Sequence, residues 1–405
     1  MKKKRVVITG IGLVSSLGND IDEFWSALTS GKSGISEVSS FDTSNCNRHF
    51  GGEVKYFNAD GVLSPAEKKV FKRASQFSIV ATKNALRDAG LDERLHEFAK
   101  YIGVIIGTTF GEAQIVEAAT QYLIESKDDL RQEFYLKQYR PDAISVNIAK
   151  KFGLCGPNQV IPTACAAGNY AIAYASSLIA GGRVPVMVAG GADPFSHVSF
   201  TGFSRLDMAD LKCQPFDKNR KGMMVGEGAG IMILEDYDFA KKRNAKIYGE
   251  ILGYGLSCDA NHMTIPEVGG IVSVMEKALK NSNLKIKDID YVCAHGTGTA
   301  INDKTESLAI RKVFYERGNE VPVSSIKSML GHTMGAASAL EAIAVVLAIK
   351  NDEIPPTINY ETPDPECDID CVPNKSRQKK INYALNNSFA FGGNNACVVL
   401  AKSDR

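Results

Sequence analysis

Short β-branched apolar runs alternate along this chain with longer segments whose apolar residues recur every third or fourth position. Residues 6–9 read as a buried strand, and Gly10-x-Gly12 after it as a glycine turn. Residues 21–30 predict a helix with Phe24, Trp25 and Leu28 on one side, and 40–62 show little periodicity, which predicts surface loop. Residues 65–89 predict one long helix, with proline near its start, where it is tolerated, and Val70, Ala74, Phe77, Ala81 and Ala85 on its apolar side. Further strands are expected over 102–107, 184–189, 230–234, 289–294, 321–324, 383–388 and 396–400. Further helices are expected over 112–125, 142–152, 169–180 and 336–350. Strands alternating with helices mean α/β organisation, in which polar loops after strand C-termini build the sites. The rhythm of the first half returns in the second. That predicts two related halves, 1–250 and 251–405, although no strict short repeat is visible.

Composition adds limits. With 405 residues, 44% hydrophobic and 23% charged, the chain is globular and too long for one ordinary core. A net charge of +1 argues against a general nucleic-acid binder or a membrane-surface protein. Nine cysteines, an odd number without paired metal-ligand spacing, fit reduced thiols in a cytoplasmic protein. Cys367 and Cys371 have no histidine near them, so no zinc site is expected there. The basic N-terminus leads into a β-branched, glycine-rich run, which fits a first strand better than a signal peptide. The apolar stretch 339–349 is shorter than the ~18 residues of a membrane span, and Glu341 interrupts it, so no membrane insertion is expected.

Candidate chemistry centres on Pro162-Thr-Ala-Cys165-Ala-Ala-Gly168, between a strand-like and a helix-like run. A cysteine at a helix N-terminus meets unpaired N–H groups and the positive end of the helix dipole, which favour a thiolate. On this stretch alone, a nucleophile and a buried structural thiol are equally good readings. Three later segments change the balance. His295-Gly-Thr297-Gly-Thr299 leads on to Asn302-Asp303-x-x-Glu306. Lys327-Ser-Met-Leu-Gly-His332 brings a lysine and a second histidine ahead of a helix, and Asn387-Ser-Phe-Ala-Phe391-Gly-Gly is a glycine turn carrying two phenylalanines. Neither histidine has a partner at helical His-x-x-x-His spacing, which disfavours a catalytic metal.

Taken in order, these motifs resemble the β-ketoacyl-acyl-carrier-protein synthases, elongating condensing enzymes of the thiolase superfamily and most like the type II ketosynthases. The resemblance runs nearly end to end. It implies the five-layered α-β-α-β-α thiolase fold from two similar halves, with the nucleophile in the first and the catalytic histidines in the second. It implies decarboxylative Claisen condensation of a Cys165-bound acyl chain with malonyl-acyl-carrier protein, in fatty acid or type II polyketide or polyene biosynthesis. His295 and His332 would serve the decarboxylation, supported by Lys327 with Glu306 as its ionic partner. Phe391 would be oxyanion-hole residue and gatekeeper, and Thr297 and Thr299 would grip the phosphopantetheine arm. Phe110, where many relatives carry a smaller residue, would line the acyl pocket and shorten it. Lys68, Lys69, Lys72, Arg73 and Arg205 would dock an acidic carrier protein. No cofactor or metal is implied, since the substrates ride on carrier-protein phosphopantetheine. The expected assembly is a homodimer, or a heterodimer with a homologous chain-length factor. Met223, Ala390, Asn394 and Lys221 are further departures from the usual pattern. A non-condensing chain-length-factor scaffold is the weaker alternative, because such subunits usually lack the nucleophile. Thiolase chemistry on coenzyme A esters is disfavoured by Cys-His-His in place of Cys-His-Cys.

Overall fold

A computed structural model describes residues 3–126, 140, 142–206, 208–318 and 320–403. Pro141, expected just before a helix, lies outside them. One mixed sheet of ten strands spans the molecule. In chain order its strands are β1 (Val6–Val14), β2 (Ile102–Gly107), β3 (Asn158–Ile161), β4 (Val186–Asp193), β5 (Gly228–Asp236), β6 (Gly249–Cys258), β7 (Tyr291–Cys293), β8 (Val323–Ser324), β9 (Tyr383–Phe389) and β10 (Asn394–Ala401). Read outward from the centre, one side runs β1-β5-β4-β2-β3 and the other β6-β10-β9-β7-β8. These are the same order five strands apart. The directions repeat too: β3, β2 and β4 run parallel, as do β8, β7 and β9, and the remaining pairs in each half are antiparallel.

Six helices complete the layers: α1 (Arg73–Asp88), α2 (Ala143–Phe152), α3 (Ala167–Ala180), α4 (Val268–Asn281), α5 (Ala300–Val313) and α6 (Ala337–Asn351). Helices α1 and α2 cover the outer face of the first five strands, and α4, with α5 against it, covers that of the last five. Between the halves lie α3 and α6, each touching strands of both. This is the expected five-layered fold. The stretch Met334–Asn351 is long and apolar enough to cross a membrane, but it is buried in this middle layer, where the largest apolar cluster sits.

Several elements differ from expectation for identifiable reasons. Gly10 and Gly12 form no turn; β1 continues through them, with a shift of register just before Gly10. A Cβ at Gly12 would lie 1.9 Å from the Ala81 carbonyl oxygen and one at Gly10 2.2 Å from that of Ala85, so the glycines seat α1 directly on the strand. Gly190 and Gly191 likewise lie inside β4, where a Cβ on Gly190 would meet the Gly230 carbonyl oxygen at 1.9 Å. The expected helix over 65–89 is two. Pro65–Val70 ends at Phe71, which is extended at ψ 128°, and α1 starts at Arg73. Strand β6 and helix α4 fall in a segment with no assigned elements; Gly253 and Gly255 obscure the strand.

Candidate active site

Strand β3 leads through Pro162 and Thr163 into one 3₁₀ turn, Ala164–Ala166, and the chain passes directly into α3. Ala164 sits at φ 49°, a left-handed conformation unusual for a residue with a Cβ. The Cys165 thiol that follows lines a cavity of about 380 Å³. The backbone N–H groups of Cys165 and of Phe391 lie near enough to this sulfur to favour its anion. Hydroxyls fix the turn from behind: Ser388 Oγ donates to the Cys165 carbonyl at 2.9 Å and Ser338 Oγ at 3.4 Å. Phe391 opens a turn that needs positive φ at Gly392 and Gly393 (82° and 77°), and Gly392 N–H donates to the Met263 carbonyl at 2.7 Å. Its ring lies at the cavity mouth, 43% exposed, beside Phe203.

His295 follows β7, and its own N–H and that of Gly296 donate to the two oxygens of Glu306, each at 2.8 Å. Buried Lys327 donates to His295 Nδ1 at 3.3 Å and to the His295 carbonyl at 2.6 Å. Its ion pair is with Glu341, not with the expected Glu306. Glu306 is spent on two backbone N–H groups, and burial still raises its carboxyl to about 7. Glu341 reaches Lys327 from the second turn of α6, where no sequence pattern marked it as a partner. His332 Nδ1 accepts from Met334 N–H at 3.1 Å. The two imidazoles stand edge to face, 5.3 Å between centroids. One ligating atom from each of Cys165, His295 and His332 lies within 4.8 Å of the others.

These contacts fix the protons. A lysine ammonium and a backbone N–H can only donate, so both Nδ1 atoms accept. Burial, with the Lys327 charge behind it, holds both imidazoles well below the ordinary histidine value. Each ring is therefore neutral with its proton on Nε2, and the cavity receives two N–H donors. The spacing would suit a metal ion. A metal, however, would need the Nε2 lone pairs, which forces protons onto Nδ1 atoms that already face donors. The thiol departs from the thiolate expectation: burial, with a smaller push from the Asp193 charge, takes Cys165 up to about 11, against the opposing pull of Lys327 and the two N–H groups.

The pattern described as "Beta-ketoacyl synthase, N-terminal domain" matches residues 3–240, and "Beta-ketoacyl synthase, C-terminal domain" matches 248–361. The chain belongs to the β-ketoacyl synthase family. It is 40% identical to 3-oxoacyl-[acyl-carrier-protein] synthase 2 of Synechocystis sp., with 99% of each chain covered. It is 38% identical to the enzyme of that name from Staphylococcus aureus, again over 99% of each. Among solved structures, the ishigamide ketosynthase/chain length factor superposes with TM-score 0.95 at 38% identity over 99% of both chains. A type II polyketide synthase acyl-carrier protein in complex with its ketosynthase bound to the hexaketide gives 0.90 at 33%, covering 99% of this chain and 100% of that one.

In this β-ketoacyl synthase the remaining candidates separate. Thr297 and Thr299 line the cavity with their hydroxyls 2.9 Å apart, and Thr299 also caps α5. Arg205 is exposed at the cavity mouth. Lys68 is paired with Asp60, Lys69 is exposed and Lys72 is half-buried. Arg73 leaves the docking set: its guanidinium turns inward to Glu227 (2.6 Å) and the Val54 carbonyl (2.8 Å). Phe110 packs edge to face on Phe203, which lines the cavity, and belongs to the apolar cluster that holds Met223 and Met334. Met223 does line the cavity. Ala390, at φ −117°, is in extended backbone that any residue adopts, so its methyl costs no freedom there. Two further carboxylates are fully buried at the site: Asp193, and Asp303 of the Asn302-Asp303-x-x-Glu306 motif. Asp303 accepts from the N–H groups of Phe216 and Gly298 and so frames the Thr297–Thr299 loop. Its signal was present in the motif; that of Asp193, a carboxylate closing a glycine-rich strand, is weak.

Proposed function

We propose that this protein is a type II β-ketoacyl-acyl-carrier-protein synthase acting through Cys165, His295 and His332. The observation that carries the reading is one cavity holding the thiol, two backbone N–H groups near that sulfur and two neutral imidazoles offering Nε2–H. Cys165 sulfur attacks an acyl-carrier thioester. The tetrahedral oxyanion is held by the N–H groups of Cys165 and Phe391. The carrier thiol leaves with the cysteine proton. Malonyl-carrier protein then loses CO₂, and the enolate oxygen takes hydrogen bonds from His295 and His332. The enolate carbon attacks the acyl-cysteine, a carbon–carbon bond forms, and the cysteine sulfur leaves and takes a proton from water. The β-ketoacyl chain stays on the carrier.

Lys327, held by Glu341, fixes the His295 tautomer. Thr297 and Thr299 offer hydroxyls to the phosphopantetheine arm, with Phe391 at the gate. Arg205, Lys68, Lys69 and Lys72 are the candidate carrier-protein contacts. The nucleophile falls in a first half, 1–250, and the histidines in a second, 251–405. The family resemblance and the named relatives support cytoplasmic work on carrier-bound substrates, with no cofactor. The partner is a second copy or a homologous chain-length factor, and the likeness to the ishigamide ketosynthase favours the latter. Intact Cys165, His295 and His332 weigh against a non-condensing scaffold.

Mass spectrometry of the protein incubated with a panel of acyl-carrier proteins, followed by malonyl-carrier protein, tests this. An acyl adduct on Cys165 is expected, discharged as β-ketoacyl product on malonyl addition. The Cys165→Ala variant should lose condensation by roughly 10⁴-fold or more. Product formation undiminished in that variant would sink the proposal.

A further inference from the structure

Asp193 ends β4 and is fully buried. Its Oδ1 accepts from Thr108 Oγ at 2.7 Å and Phe110 N–H at 2.9 Å, and its Oδ2 from Thr109 N–H at 2.7 Å and Gly335 N–H at 2.6 Å. Thr108 Oγ itself accepts from Gly111 N–H at 2.9 Å, so its proton is committed to the carboxylate. Burial pushes the Asp193 carboxyl up. Even so, four donors fill the four lone-pair directions and leave no acceptor for a carboxyl proton, so the group is held ionised.

Three donors come from the loop after β2 and the fourth from the turn that follows His332. That turn is Met334–Ala336, with Met334 strained at φ 50°. Within it, Met334 N–H donates to His332 Nδ1 while the next N–H, that of Gly335, donates to Asp193. The two bonds come from consecutive peptides, so the carboxylate sets the orientation of the peptide pair that fixes the His332 proton. The strain at Met334 would otherwise tend to relax.

We propose that Asp193 is a positioning residue for His332, holding the Met334–Gly335 turn so that His332 keeps its proton on Nε2 and presents it to the cavity. Its mechanistic consequence rests on His332 serving the decarboxylation. Asp193 does not line the cavity; its charge reaches Cys165 only at a distance and raises the thiol slightly, so its loss would ease acyl transfer and not slow it. The effect should therefore divide the two half-reactions.

The experiment uses the full chain with Asp193→Asn and the milder Thr108→Ala, which removes one donor and keeps the charge. In Asp193→Asn, malonyl-carrier decarboxylation is expected to fall by about tenfold to a hundredfold, while acyl transfer to Cys165 stays within about threefold. Thr108→Ala should show the same division at smaller size. Nitrogen-15 histidine NMR reads the tautomer directly: His332 should be a single Nε2–H species in the native protein and a mixture in Asp193→Asn. If Asp193→Asn fails to fold, Thr108→Ala carries the same two readouts. An unchanged His332 tautomer, or equal loss of both half-reactions, overturns the inference. A native protein that decarboxylates no malonyl-carrier protein overturns the functional reading instead and leaves the NMR outcome to decide the positioning role.

Discussion

Thr163-Ala-Cys165-Ala-Ala-Gly168 and Thr333-Met-Gly335-Ala-Ala-Ser338 fold the same way. Each is a 3₁₀ turn, Ala164–Ala166 or Met334–Ala336, that passes directly into a middle-layer helix. Each starts with a left-handed residue, at φ 49° and 50°. The two helix starts also touch: Asn169 N–H donates to Ser338 Oγ at 2.9 Å, and a Cβ on Gly168 would lie 2.7 Å from Ala339 N. Yet one carries a thiol over a cavity, and the other holds a bare glycine N–H against Asp193. A helix start is thus only a frame. What faces it decides between chemistry and support. At the first it is open space, two N–H groups and two imidazoles; at the second it is a carboxylate that has already taken the donor.

The largest effect that would sharpen this contrast concerns the thiol. With Cys165 raised to about 11, roughly one molecule in 10⁴ is thiolate at pH 7, so alkylation of this cysteine should rise about tenfold per pH unit. The sign follows from burial disfavouring the charged form. Peptide-resolved mass spectrometry of iodoacetamide labelling from pH 7 to 10 should show about a thousandfold gain. A plateau below pH 8.5 would mean that the helix start activates the thiol unaided.

Next in size is Gly335→Ala. Its Cβ would lie 2.6 Å from Asp193 Oδ2 and from the Thr108 backbone. Overpacking there should cost roughly 1–3 kcal/mol, read as a lower midpoint in urea. Native stability in this variant would show that the second helix start has slack like the first. The smallest effect is Ala164→Gly. It removes a left-handed alanine, costing ~1–2 kcal/mol, and adds glycine entropy of ~0.5–1 kcal/mol, so a gain between zero and about 1.5 kcal/mol is expected. Clear destabilisation would mean the alanine methyl is needed where it packs.

The repeat between these turns was not legible in the sequence, because only threonine and two alanines are shared and the functional residue differs. Strand and helix positions were legible wherever β-branched or helical spacing was uninterrupted, as over 102–107. They failed at glycines. Gly10, Gly12, Gly253 and Gly255 look like turns but lie inside strands, where helix backbone comes too close for a side chain. The Cys165, His295, His332 and Phe391 grouping followed from motifs. The ion pair of Lys327 did not, because linear spacing cannot say which of two buried glutamates points at it. Arg73 failed for a related reason: charge is visible in a sequence, but the direction of a side chain is not.

The shared middle layer also bears on synthesis. Helix α6 covers strands of the first half, β4 and β5, yet it comes more than a hundred residues after them. At ribosomal speed that interval lasts on the order of ten seconds. Throughout it, the inner face of the nascent first sheet is apolar and bare of this cover. Helix α3, made earlier, already packs on that sheet, so α6 closes the layer late and does not start it.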